Sequence, residues 1–226
     1  MNAELTRVGA IVWKDLTAER RTKANFNAVV FLAGLILLLF GFAIGTEQSS
    51  MQPIAGGVIW LTVLFSGTLS FNRSYEQELE NGALEMLLLY PGDRRSLFVG
   101  KLLANLLFVL LVEVVMLPTA ALLYNLPIWT FLAPLSLVLL LGTVGFVTLG
   151  TFYAAMASRL RAREVMLPLL LFPMLVPLLV GAVQATGGIL NGDIMGSTWW
   201  WVRFLFVFDV IFFVAALFAF EHVIED

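Results

Sequence analysis

Six mainly apolar runs, at 26–44, 53–71, 102–123, 129–156, 165–185 and 200–220, divide the 226-residue chain, and its polar residues gather between them. A helix rises 1.5 Å per residue, so about 20 apolar residues cross the roughly 30 Å of hydrocarbon in a bilayer. The pattern predicts six transmembrane helices. Strands of a membrane barrel would alternate apolar and polar positions over about ten residues, and the blocks at 35–40 and 135–141 do not alternate. Ahead of the first run, Leu5, Val8, Val12 and Leu16 recur at helical spacing, with Arg7, Lys14, Glu19 and Arg20 among them. This predicts an amphipathic interfacial helix over 1–24. It either carries Trp13 at headgroup level or acts as an elbow that braces the bundle.

Composition agrees with the pattern. Hydrophobic residues make up 60% of the chain and charged residues 13%, against about 25% charged in an average soluble domain, and the mean hydropathy is +0.94. These values describe an all-α integral membrane protein. Twelve of the thirteen Lys and Arg residues lie before the first span, in the second connection or in the fourth; only Arg203 lies elsewhere. Positive residues in short loops stay on the cytoplasmic side, so both termini are expected in the cytoplasm. The net charge of −3 averages two compartments and gives no support to a nucleic-acid partner. The first 25 residues lack the continuous apolar core of a cleaved signal, so the first span is expected to anchor the protein. No repeat or low-complexity linker divides the chain, and 1–226 is expected to form one six-helix domain. With no cysteine, disulfides, thiolate metal sites and thiol chemistry are excluded.

The connection at 72–100 is the richest in chemistry. Ser74 and Gln77 match a capping box and predict a short helix starting there. Asn81-Gly82 would end it, and 83–90 would form a second short helix closed by Pro91-Gly92. Glu76, Glu78, Glu80 and Glu85 accompany the apolar Leu84, Leu87 and Leu88. From composition alone, the leucines lie in the membrane interface and the acids are solvated. A docking surface for a partner is the sharper alternative.

The arrangement Glu78-x-Glu80-x-Gly82-x-Leu84-Glu85-x-Leu87-x-x-x-Pro91, followed by Gly100-Lys101, resembles the first cytoplasmic loop of six-helix ABC-2-type export permeases. The resemblance is closer to the CcmB family, the permease subunit of the cytochrome c maturation system, historically called a haem exporter. It extends to Trp13-Lys14-Asp15-Leu16 with Glu19-Arg20, to Arg73-Ser74, and to 161–177 with Leu167-Pro168 and Phe172-Pro173. The resemblance implies a non-catalytic subunit of the bacterial inner membrane, driven by a separate CcmA-like ATPase. Glu76, Glu78, Glu80, Gly82, Leu84, Glu85, Leu87, Leu88 and Pro91 would dock that ATPase. It further implies a second copy of the chain, a CcmC-like haem-handling membrane protein and a CcmD-like single-helix protein. A CcmE-like periplasmic haem chaperone would be released by ATP use, with haem handled by partners. The alternative within the superfamily is an exporter of lipid, polysaccharide or drug.

The residues add their own limits. No Gly-x-x-x-x-Gly-Lys-Ser/Thr phosphate loop is present, so ATP must be hydrolysed by another chain. Haem iron takes His, Met, Cys or Tyr ligands. The one histidine, His222, follows the last span, and the eight methionines are scattered. This predicts no stably bound cofactor or metal. No catalytic triad or carboxylate–histidine set appears, so no catalytic residue is expected. Two acids, Glu113 and Asp209, fall inside apolar runs, where they are expected to face the bundle interior. Each is either a structural hydrogen-bonding group or a working one. A proton-coupled carrier would need one of them, and a membrane scaffold neither. Pro168, Pro173 and Pro177 are expected to bend the fifth span. Trp199, Trp200, Trp201 and Arg203 mark the outer interface, and the connection at 186–198 is the longest on that side.

Overall fold

Apolar helices that satisfy their own backbone need only bury side chains against one another, and this chain is built that way. The computed structural model describes residues 2–80, 94–158, 163–193 and 196–223, and among them every regular element is helical. In order these are α1 (Asn2–Thr22), α2 (Ala24–Ile44), the single turn α3 (Gln48–Met51) with a 3-10 turn at Gln52–Ile54, and α4 (Ala55–Glu80). There follow α5 (Arg94–Tyr124), α6 (Leu132–Ser158), α7 (Arg163–Leu190) and α8 (Ser197–Val223). Six helices are long and apolar enough to cross a membrane, and they coincide with the six runs of the sequence. Several extend past those runs, because a helix continues into its polar flanks wherever nothing breaks it. α5 starts at Arg94 and α7 continues to Leu190.

One expectation is corrected. Ser74 does not start a new helix: α4 continues without a break through Ser74 to Glu80. An established helix adds each residue more cheaply than a new one nucleates, so the local capping pattern is overridden. The expected second short helix at 83–90 lies outside the described residues.

The spans alternate in direction. The start of α5 and the end of α8 meet where Phe98 packs on Phe220 with ring centroids 5.0 Å apart and the Arg95 guanidinium lies 5.0 Å over the Phe218 ring. This is the basic end of the bundle. At the opposite end, Gln52 Nε2 donates to the Leu190 carbonyl at 2.7 Å, fastening the entry to α4 to the end of α7.

α4 and α6 are the two most enclosed spans, and they interlock ring into glycine. A Cβ at Gly142 would fall in the ring of Trp60, one at Gly150 in the ring of Phe71, and one at Gly67 of α4 in the ring of Phe146. Residue numbers rise together in all three pairs, so the two helices run parallel. Close approach through small residues is how membrane helices gain packing where the hydrophobic effect between them is absent.

α7 presents Leu167, Leu171, Leu175, Leu178, Ala182, Ala185 and Ile189 as one buried stripe, against α4, α6 and α8. Pro168, Pro173 and Pro177 lie within this one continuous helix, and Pro173 and Pro177 lie on its exposed side. Packing along the buried stripe holds the helix together where three backbone donors are missing. α5 also carries an internal proline, Pro118.

Candidate functional site

The docking residues proposed from the sequence divide at the end of α4. Glu76, Glu78 and Glu80 occupy its last turns. Gly82, Leu84, Glu85, Leu87, Leu88 and Pro91 lie outside the described residues. In the chain they fall between the end of α4 and the start of α5.

At the start of α5 sits an elbow that joins several motifs of the sequence. α1 packs on the start of α5, with Ile11 buried against Gly100. A Cβ on Gly100 would come 2.9 Å from the Ile11 Cβ, so only glycine lets the two helices approach this closely. One residue on, Lys101 Nζ lies 2.9 Å from Asp15 Oδ2, and the Lys101 side chain is 1% exposed. Lys14 Nζ lies 3.1 Å from the other Asp15 oxygen, from a more open position. A buried ammonium is costly unless it is paired, and Asp15 supplies the pair. Four residues after Asp15, Glu19 Oε1 accepts the Phe26 backbone N–H at 2.7 Å. It thereby caps the first turn of α2, which the preceding Lys23, in the left-handed region at φ 52°, leaves without a cap of its own. Trp13, 71% exposed, faces away from the bundle. Thus Asp15 and Glu19 of the first motif and Gly100-Lys101 of the second form one structure. Nothing in the sequence connects the two motifs; their meeting is set by the packing of α1 on α5.

The two intramembrane acids are both interior. Glu113 is 3% exposed and accepts a hydrogen bond from Thr143 Oγ1 at 2.5 Å. Further along the same pair of helices, Asn105 Nδ2 donates to Thr151 Oγ1 at 3.0 Å, so polar bonds join α5 and α6 at two levels. Asp209, 6% exposed, fills the space left by the absent Cβ of Gly145, beside Leu178, and neither of its oxygens has a hydrogen-bond partner among the described residues. Thr143 and Gly145 are two positions apart, about 3 Å along α6 and on opposite sides of it. The acids therefore stand at one depth on either side of α6. They form no dyad. Arg203 does not approach Asp209; its guanidinium lies 5.3 Å over the Trp199 ring.

Glu113→Gln retains an acceptor for Thr143 and is expected to leave the thermal unfolding temperature in detergent close to that of the parent. Glu113→Leu is expected to lower it, because a buried hydroxyl left unpartnered costs about 1–3 kcal/mol. Partial rescue comes if Thr143 turns back to its own helix carbonyl. Equal unfolding of the two variants would show that the Thr143 bond contributes nothing.

At the opposite end, Trp60 Nε1 donates to Thr186 Oγ1 at 2.9 Å, tying α4 to α7. Asp193 receives the Gly196 and Ser197 backbone N–H groups at 2.8 and 3.1 Å and the Ser197 hydroxyl at 2.9 Å, capping the start of α8. The Ser197 hydroxyl, followed by the backbone donors, holds its carboxyl below the usual range. Asp193 stands four residues ahead of the helix, outside the N-cap position that capping patterns in a sequence report, so its role is visible only in the structure. Among the described residues, no three His, Cys, Asp or Glu gather as a metal site.

The family model described as CcmB protein matches residues 6–226. The chain is 34% identical over 170 residues to Heme exporter protein B of Pseudomonas aeruginosa, covering 74% of this chain and 75% of that one. It is 32% identical over 171 residues to Heme exporter protein B of Rhodobacter capsulatus, covering 76% and 78%. The match to the protein of that name from Haemophilus influenzae is 31% over 172 residues, covering 76% and 77%. The matched stretch begins within α1 and takes in the elbow, both acids and all six spans, so the chain belongs to the CcmB protein family.

Proposed function

We propose that this chain is the permease subunit of an ABC transporter complex for cytochrome c maturation in a bacterial inner membrane, with both termini cytoplasmic. It couples ATP hydrolysis by a CcmA-like ATPase to release of a haem-loaded, CcmE-like periplasmic chaperone. It works with a second copy of itself and with CcmC-like and CcmD-like membrane partners, and performs no catalysis of its own. Family membership and the printed name of the relatives support the haem-export system. The single observation that favours coupling is the course of α4, which leaves its apolar run at Phe71 and continues to Glu80, placing Glu76, Glu78 and Glu80 beyond that run. Nine further residues at 1.5 Å each amount to about 14 Å.

Chaperone release, as opposed to transport of haem through the chain, is favoured by the poverty of iron ligands. Met51 and Met116 are packed in the apolar core, where methionine ordinarily fills space. Chain purified with its ATPase, but without the haem-handling partner, is expected to show no haem absorption band, and His222→Ala is expected to leave cytochrome c maturation unchanged. A stoichiometric haem spectrum in that preparation, lost on replacing one Met, Tyr or His222, would establish direct haem handling. The coupling role itself requires that an ATPase co-purify with the tagged chain. Proton coupling by the midplane acids is opposed if Glu113→Gln and Asp209→Asn both support maturation.

A further inference from the structure

We propose that Asp15 and Lys101 are positioning residues that make α1 and the start of α5 one rigid piece, through which movement of the docking segment reaches the corner between α1 and α2. The proposal rests on the docking role assigned above to 74–91.

The contacts form a continuous path. α5 starts at Arg94, three residues after Pro91 in the chain, and Lys101 lies seven residues on, about 10 Å along the helix. There the Lys101 ammonium is enclosed and paired with Asp15 at 2.9 Å, while the preceding Gly100 brings the α5 backbone against Ile11. α1 packs mainly on α5 and touches α2 only slightly. It joins α2 through the single residue Lys23, and the Glu19 carboxylate on the Phe26 N–H braces that corner. A displacement of the start of α5 carries α1 with it, because sliding past would pull the enclosed Lys101 ammonium away from Asp15 and part Ile11 from Gly100. Through Glu19 it then acts on the first turn of α2. An apolar pair of similar volume would hold two helices together at least as firmly. What the ion pair adds is a unique register, since only one alignment of α1 on α5 brings the charges together.

The test uses the complex purified with its ATPase, scoring maturation per assembled complex so that loss of protein does not count as loss of coupling. Asp15→Asn and Lys101→Met are each expected to lower this ratio about tenfold, within the range of coupling that packed networks carry. The exchange Asp15→Lys with Lys101→Asp is expected to recover most of it. A purely structural pair would reduce accumulation and maturation together and leave the ratio unchanged, and that result overturns the proposal.

If the single variants fail to accumulate, the cysteine-free background allows a second route. Asp15→Cys with Lys101→Cys leaves neither charge unpaired, and a short bis-thiosulfonate reagent bridging the two thiols replaces the ion pair by a tie that reduction cleaves. The cross-linked complex is expected to turn over ATP as fast as the same complex after reduction. Turnover that appears only on reduction would show that α1 must part from α5, and would also overturn the proposal. Absence of an ATPase from the wild-type preparation would instead remove the docking role, whatever the variants do.

Discussion

Replacing Glu78 and Glu80 together by lysine is expected to abolish cytochrome c maturation while leaving the chain in the membrane at its normal level. Both positions lie on the last turns of α4, beyond the apolar run that ends at Phe71. Insertion is governed by the apolar windows, none of which includes them. The exchange changes the local charge by four units, from two acids to two bases. Across an interface, juxtaposed like charges cost several kcal/mol and rim charges set the encounter rate, so the partner ATPase should be lost from the purified complex or bound without coupling. Co-purification at the normal ratio together with normal maturation would show that 74–91 is not the docking segment. Basic substitution there also adds to the positive end of the chain, so its orientation in the membrane is not put at risk.

Gly142→Ala is expected to destabilise the bundle strongly for the addition of a single methyl group. The new Cβ would enter the Trp60 ring, which is wholly buried and cannot swing aside without breaking the indole bond to Thr186. Overpacking of this kind costs about 1–3 kcal/mol, and the lost Trp60 bond adds to it. Gly57→Ala is the control, because a Cβ there meets nothing within 4 Å. Removing a helix glycine is stabilising by about 0.5–1 kcal/mol. Thermal unfolding in detergent should therefore fall for the first variant and hold or rise for the second. Equal behaviour of the two would mean that the glycine seats on α6 are not load-matched to the rings they receive.

The six spans were legible because crossing a bilayer requires a long apolar run whatever the helix later packs against. The interior position of Glu113 and Asp209 was legible for a related reason, since a carboxyl at that depth has nowhere else to go. Their placement on opposite faces of α6 was not, because it depends on which helices become neighbours. The glycine seats were hidden similarly: Gly142 and Gly150 look no different in sequence from Gly57, and only the rings of Trp60 and Phe71 distinguish them. Asp15 and Lys101 stand far apart in the chain, and no periodicity connects them. The end of α4 was misjudged at Ser74, because a capping pattern reports a local option that an already growing helix need not take.

The unbroken course of α4 makes it a lever. Its seat against Phe146 at Gly67 lies close to the middle of the helix, with twelve residues back to Ala55 and thirteen on to Glu80. The arms are therefore about 18 Å and about 20 Å long. Because Trp60 and Phe71 are seated in α6 on either side of this level, α6 moves with α4, and a swing of the pair by about 10° displaces each end by about 3 Å, in opposite directions. The far arm ends next to Gln52, whose side chain holds the last carbonyl of α7. Under the docking role proposed for 74–91, a thrust at Glu80 would arrive at the opposite end of the bundle with its sense reversed.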